Sequence, residues 1–99
     1  MRAAKVDGNH DEIRDGLRAL GVYVIDTHGL GQGFADLVAY SWYAGWQLLE
    51  VKMPRGRLTS AERKLQNECP GPIWVIRTLE QACEVMGVEV EGVEEKDAN

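Results

Sequence analysis

At 99 residues with 44% hydrophobic content and three Trp, the chain can build one small folded domain, too short for two and too apolar to be disordered. No apolar run nears the roughly 20 residues of a bilayer span, which excludes a helical membrane protein. The net charge of −5 runs against a nucleic-acid binder on average, yet residues 89–99 alone carry −4 and the remainder is nearly neutral.

In chain order, Ile13, Leu17 and Leu20 recur at helical spacing after Asn9, a residue type that caps helices, and Gly21 supplies the stop. This predicts a first helix over about 10–20. A short β-rich run, 22–26, leads into the glycine-rich loop 27–33. The runs 34–41 and 46–53 read as two strands joined by a tight turn near Ala44 and Gly45. After the turn 54–57, Thr59 or Ser60 caps a helix to about Glu68. A buried strand follows at 73–76, and a last helix covers 79–86, closed by Gly87. The predicted order is α-β-β-β-α-β-α, an α/β fold with a mixed sheet, in one domain over 1–88. Residues 89–99, acidic in sum, are expected to be a frayed tail. Cys69 and Cys83 lack metal-ligand spacing, no signal-peptide h-region opens the chain, and reduced thiols in a cytoplasmic protein are expected.

Leu48-Leu49-Glu50-Val51-Lys52 is the richest stretch. Strand residues two apart project to the same face, so Glu50 and Lys52 share one surface while Leu49 and Val51 face the other. Fourteen residues upstream, Asp36 brings a second carboxylate to the start of the preceding strand. An acid followed by acid-x-Lys on the next strand suits a hard divalent cation, Mg²⁺ or Mn²⁺, with a water beside it. The plainer alternatives are a solvated strand-start acid for Asp36 and a surface ion pair for Glu50 and Lys52.

Lys52, Arg55, Arg57, Arg63 and Lys64 crowd into thirteen residues with Glu62 as the one acid, a local basic patch fit for phosphates. Gly29, Gly31 and Gly33 resemble a phosphate cradle, but no helix is predicted after them. Flexibility beside the site, or close approach of a DNA backbone, is the better reading. His28 in that loop can touch a phosphate or sit solvated. His10 reads as a helix-start residue, and Trp42, Trp46 and Trp74 read as core and hairpin packing before base stacking.

Taken together, Asn9 to Ile13, Gly31-Gln32-Gly33-Phe34-Ala35-Asp36-Leu37, Leu48 to Lys52, Gly56-Arg57-Leu58-Thr59 and Pro70 to Arg77 resemble the PD-(D/E)XK nuclease superfamily, and within it the small stand-alone VRR-NUC domains of phage type. The resemblance covers most of residues 5 to 87. Ala35 stands where the family has Pro, and the Gln that usually follows the Leu-Thr pair is either Glu62 or Gln66. It implies a restriction-endonuclease-like fold with Asp36 and Glu50 as metal ligands, the Val51 carbonyl as a third and Lys52 as a catalytic residue. Glu12 is implied as an additional acid at the metal, although first-turn acids favour a helix N-terminus in any case. Gln66 or Glu62 completes the rim, and Arg55, Arg57, Arg63, Lys64 and His28 are the candidate nucleic-acid contacts.

The leading expectation is a Mg²⁺- or Mn²⁺-dependent nuclease acting on duplex or branched DNA such as a Holliday junction or flap. Such substrates suit a homodimer, for which the apolar hairpin around Trp42, Tyr43 and Trp46 is a candidate surface. A sequence-specific restriction-type enzyme and a non-catalytic nucleic-acid-binding module are the alternatives.

Overall fold

Helix α1 (His10–Ala19) forms because His10, Ile13 and Leu17 fall on one side of a 3.6-residue turn and all three are buried. The computed structural model describes residues 8–31 and 33–89, so the expected tail from residue 90 on and Gln32 lie outside the described residues. Asn9 precedes α1 but makes no side-chain cap bond. Its amide instead donates to the backbone carbonyls of Lys52 (3.1 Å) and Arg77 (2.8 Å), tying the helix start to the ends of two strands.

Strands β1 (Tyr23–Asp26), β2 (Leu37–Ser41), β3 (Gly45–Val51) and β4 (Ile73–Ile76) make one sheet in the order β1-β2-β3-β4. The first two pairings are antiparallel and the third is parallel. A parallel neighbour needs a crossover, and helix α2 (Ser60–Glu68) lies in it. Helix α3 (Leu79–Met86) closes the described chain, ended by Gly87 in the left-handed region at φ 72°. The architecture is α/β with a four-stranded mixed sheet and three helices, and none of these is long and apolar enough to cross a membrane among the described residues.

Odd-numbered residues of β2 and β3 (Leu37, Ala39, Leu49, Val51) face a core shared with α1, α3, Val24 and Ile76. Helices α1 and α3 touch so closely that a Cβ added at Gly16 would sit 2.7 Å from Leu79 Cδ2.

The opposite face differs from expectation. The tryptophans expected in packing are exposed, Trp42 at 85% and Trp46 at 57%. Tyr23, Tyr40 and Trp46 instead build a cluster on the open side, with Trp46 ring centroids 6.0 Å from Tyr23 and 5.2 Å from Tyr40. Strand β4 is likewise not the buried strand expected: it is a sheet edge, with Ile76 buried and Trp74 half-exposed, its indole N–H donating to Gln47 Oε1 at 2.8 Å.

Candidate active site

Asp36 stands at the entrance to β2, in register beside β3 because its N–H donates to the Leu49 carbonyl (3.0 Å) and its own carbonyl accepts from Thr27 N (2.9 Å). Its side chain folds back onto β3, where Oδ2 accepts from the Val51 N–H at 2.9 Å. The other oxygen lies 3.4 Å from His28 Nδ1. One carboxylate is thus aimed by the backbone of the very strand that carries Glu50 and Lys52.

Glu50 and Lys52 do share a face, and both are buried, at 2% and 8% exposure. Glu62, on the first turn of α2, lies beside both of them. Glu50 Oε2 is 4.0 Å from Lys52 Nζ and has no hydrogen-bond partner among the described residues. Loss of water, and next the carboxyl groups of Glu62 and Asp36 beside it, push the Glu50 carboxyl up to about 10. A buried acid with an unsatisfied oxygen is costly unless something charged completes it.

Lys52 Nζ meets Glu62 Oε1 at 2.8 Å. Glu62 is fixed by a capping box at the start of α2: Thr59 N–H donates to Glu62 Oε1 (2.8 Å), and Glu62 N–H donates to Thr59 Oγ1 (3.1 Å). Burial tends to raise the Glu62 carboxyl, but the Lys52 ammonium and the Thr59 N–H outweigh it and hold the group below its ordinary value. Two glutamates beside one lysine therefore take opposite protonation habits.

Of the two residues weighed for the rim of α2, the structure brings Glu62 to Lys52. Gln66, one turn on, donates from Nε2 to the Ile73 carbonyl (3.1 Å) and pins the start of β4. Glu12 lies apart from the cluster: it is exposed and lines a groove with Asn9, Pro54, Arg77 and Glu80. Two residues on from buried His10, it falls on the far side of the helix. His10 takes the inward position, its Nε2 3.2 Å from both oxygens of Asp26.

Asp26 also accepts from Arg14 Nη1 (2.9 Å) and the His28 N–H (3.1 Å). Although burial alone raises its carboxyl, the bonds from Arg14 and His10 bring it down to about 2. The rings of His10 and His28 lie 5.3 Å apart, so a half-buried polar row runs from Arg14 through Asp26 and the two histidines to Asp36. His28 is thus neither a plain solvated loop residue nor free to swing outward. This row went unrecognised in the sequence; the alternation Asp26-x-His28 at the end of a strand was the signal available.

The glycine series also has a structural use. At Gly33, φ is 81° and an added Cβ would meet the Ala61 carbonyl carbon at 2.6 Å, so the Asp36 loop and α2 touch backbone to backbone. Arg55, Arg57, Arg63 and Lys64 are all exposed, Lys64 3.6 Å from Glu68.

The donor chemistry fits a hard dication. Among the described residues no three His, Cys, Asp or Glu side chains form a metal-holding group. Two carboxylates and a main-chain carbonyl, with waters and substrate oxygens completing the shell, is nevertheless an ordinary arrangement for Mg²⁺. Among the described residues, Glu50 Oε2 is the buried carboxylate oxygen without a hydrogen-bond partner, with the Lys52 ammonium 4.0 Å away.

Comparison with known protein families, curated proteins and solved structures finds no match to this chain.

Proposed function

We propose that the chain is a divalent-metal-dependent nuclease of the PD-(D/E)XK superfamily, a small VRR-NUC-type domain with a restriction-endonuclease-like fold, hydrolysing phosphodiester bonds of DNA. The observation that carries this reading is Glu50: a buried carboxyl with an unpartnered oxygen, flanked by Asp36 and Lys52 across two paired strands. A purely structural Glu50–Lys52 pair would close at short range, whereas Lys52 Nζ lies 4.0 Å from Glu50 Oε2 and 2.8 Å from Glu62 Oε1.

Asp36 and Glu50, with the Val51 carbonyl, are the residues to hold Mg²⁺ or Mn²⁺. The ion supplies a Lewis acid for the phosphate and lowers the pKa of an attacking water. Asp36 is oriented for this by the Val51 N–H. Lys52, held at 2.8 Å by Glu62, offers a positioned ammonium to the charge that builds on the phosphate or to the incoming water. Arg55 and Arg57 flank Gly56 just past the catalytic strand and meet neighbouring phosphates; Arg63 and Lys64 extend the track along α2. The open aromatic face around Tyr23, Tyr40 and Trp46 favours a homodimer, and paired sites suit branched substrates such as four-way junctions or flaps.

The test is a cleavage panel of linear duplex, single-stranded, flap and four-way DNA with Mg²⁺, Mn²⁺ or EDTA. Metal-dependent cutting of at least one substrate, abolished in Glu50→Gln, is expected. Binding without cutting in any metal favours the non-catalytic module instead.

A further inference from the structure

The basic turn after β3 has no regular structure of its own, yet its carbonyls converge on one side chain. Arg77, just past β4, donates from Nη1 to the Met53 carbonyl at 2.7 Å and the Gly56 carbonyl at 2.9 Å, with the Pro54 carbonyl at 3.5 Å. The turn closes on itself through Gly56 N–H to the Met53 carbonyl at 2.8 Å. Gly56 is packed tightly there, since an added Cβ would lie 3.3 Å from that same carbonyl oxygen. The backbone of Arg77 is held in turn: its N–H donates to Gln81 Oε1 (2.6 Å) and its carbonyl accepts from Asn9 Nδ2 (2.8 Å). The same Asn9 amide reaches the Lys52 carbonyl (3.1 Å), and Lys52 N–H donates to the Ile76 carbonyl (3.0 Å).

We infer that Arg77 is a positioning residue for DNA binding, a guanidinium that folds the 53–56 turn around itself so that Arg55 and Arg57 are presented to phosphates in a fixed geometry. The inference rests on the nuclease reading above and deepens it. By charge alone Arg77 would be grouped with the phosphate contacts. Its Nη1 is already committed to two carbonyls at short distance, which ties the guanidinium to the turn. Ordering the backbone that carries Arg55 and leads into Arg57 before binding removes the cost of ordering that loop in the complex. Lysine is a poor replacement: it keeps the charge, but its shorter side chain does not carry a donor to where Nη1 meets the Met53 and Gly56 carbonyls.

Affinity for duplex DNA is measured across a salt series in Ca²⁺, without cleavage, for wild type, Arg77→Lys, Arg55→Ala/Arg57→Ala and the triple variant, with thermal unfolding alongside. Arg77→Lys is expected to bind about tenfold more weakly and to lose roughly one unit of salt slope although its formal charge is unchanged. In the triple variant, Arg77→Lys adds nothing further to the loss already caused by Arg55→Ala/Arg57→Ala. Arg77→Lys binding like wild type, or losses that simply add, overturns the inference and leaves the nuclease reading standing. A wild-type protein with no salt-dependent DNA binding overturns both. Should Arg77→Lys unfold, Gln81→Ala loosens the Arg77 backbone from outside the turn and is expected to shift the salt slope the same way, by less; no shift there counts against the inference.

Discussion

The two faces of strand β3 are built from the same seven-residue stretch and obey opposite rules. On one face Leu49 and Val51 lie against α1 and α3 with nothing polar to satisfy, and their contribution is the removal of apolar surface from water. On the other, the side chains pass from exposed Trp46 through Leu48 to buried Glu50, and Lys52 follows the strand on that side. The first face stabilises the fold. The second retains a buried acid whose ionisation the fold opposes, a liability that is kept where chemistry uses it.

The largest way to break this comparison is at the acids. Glu50→Gln and Asp36→Asn keep volume and remove charge, so cleavage is expected to fall by roughly 10³-fold or more while the far-ultraviolet dichroism is retained. Near wild-type cleavage by either folded variant would falsify the site. Lys52→Ala comes next: single-turnover cleavage slows on the order of 10²-fold, while Mn²⁺ affinity by calorimetry holds, because an ammonium is not a ligand. If Mn²⁺ binding collapses with the rate, Lys52 is holding the acids together and not acting on the phosphate.

On the core face, Leu49→Ala should cost about 2–5 kcal/mol in urea unfolding, with DNA affinity per folded molecule unchanged. A smaller loss than that of an exposed-face change such as Trp46→Ala would invert the assignment of faces. The smallest effect sharpens the electrostatic side. With Glu50 at about 10 in the folded chain against an ordinary 4.5, the folded state keeps a proton that the unfolded state releases, so stability falls as pH rises through that window. Glu50→Gln imitates the protonated acid and escapes this loss. In EDTA it should melt about 4 °C or more above wild type at pH 8, with the gap narrowing toward pH 5; an equal gap at both values would show that ionisation is not the cause.

Much of this was legible in the sequence because it depends on local pattern. The alternation of 48–52 placed Glu50 opposite Leu49 correctly, and Thr59, Glu62 and Gly87 marked helix ends through hydrogen bonds made within a few residues. What the pattern could not carry were contacts between distant segments. Asn9 reads as a cap, yet bonds carbonyls 43 and 68 residues away. His10 reads as a helix-start residue, but its partner Asp26 arrives only when β1 packs on α1. Resemblance alone puts Glu12 at the metal, yet the Ile13 and Leu17 spacing places His10, three residues before Ile13, on the inner face and turns Glu12 away. The tryptophans mislead for a different reason. Hydrophobicity says that they bury if a surface is available, and within one chain β1 to β3 leave that face open.

The contact at Gly33 makes a lever of the site. Because the Asp36 loop rests on the Ala61 carbonyl with no room for a methyl group, a side chain at 33 would pry the first turn of α2 outward. Glu62 is one residue beyond that fulcrum and holds Lys52 at the other end. A change on the loop would therefore reach the lysine without touching it, through Ala61 and Glu62.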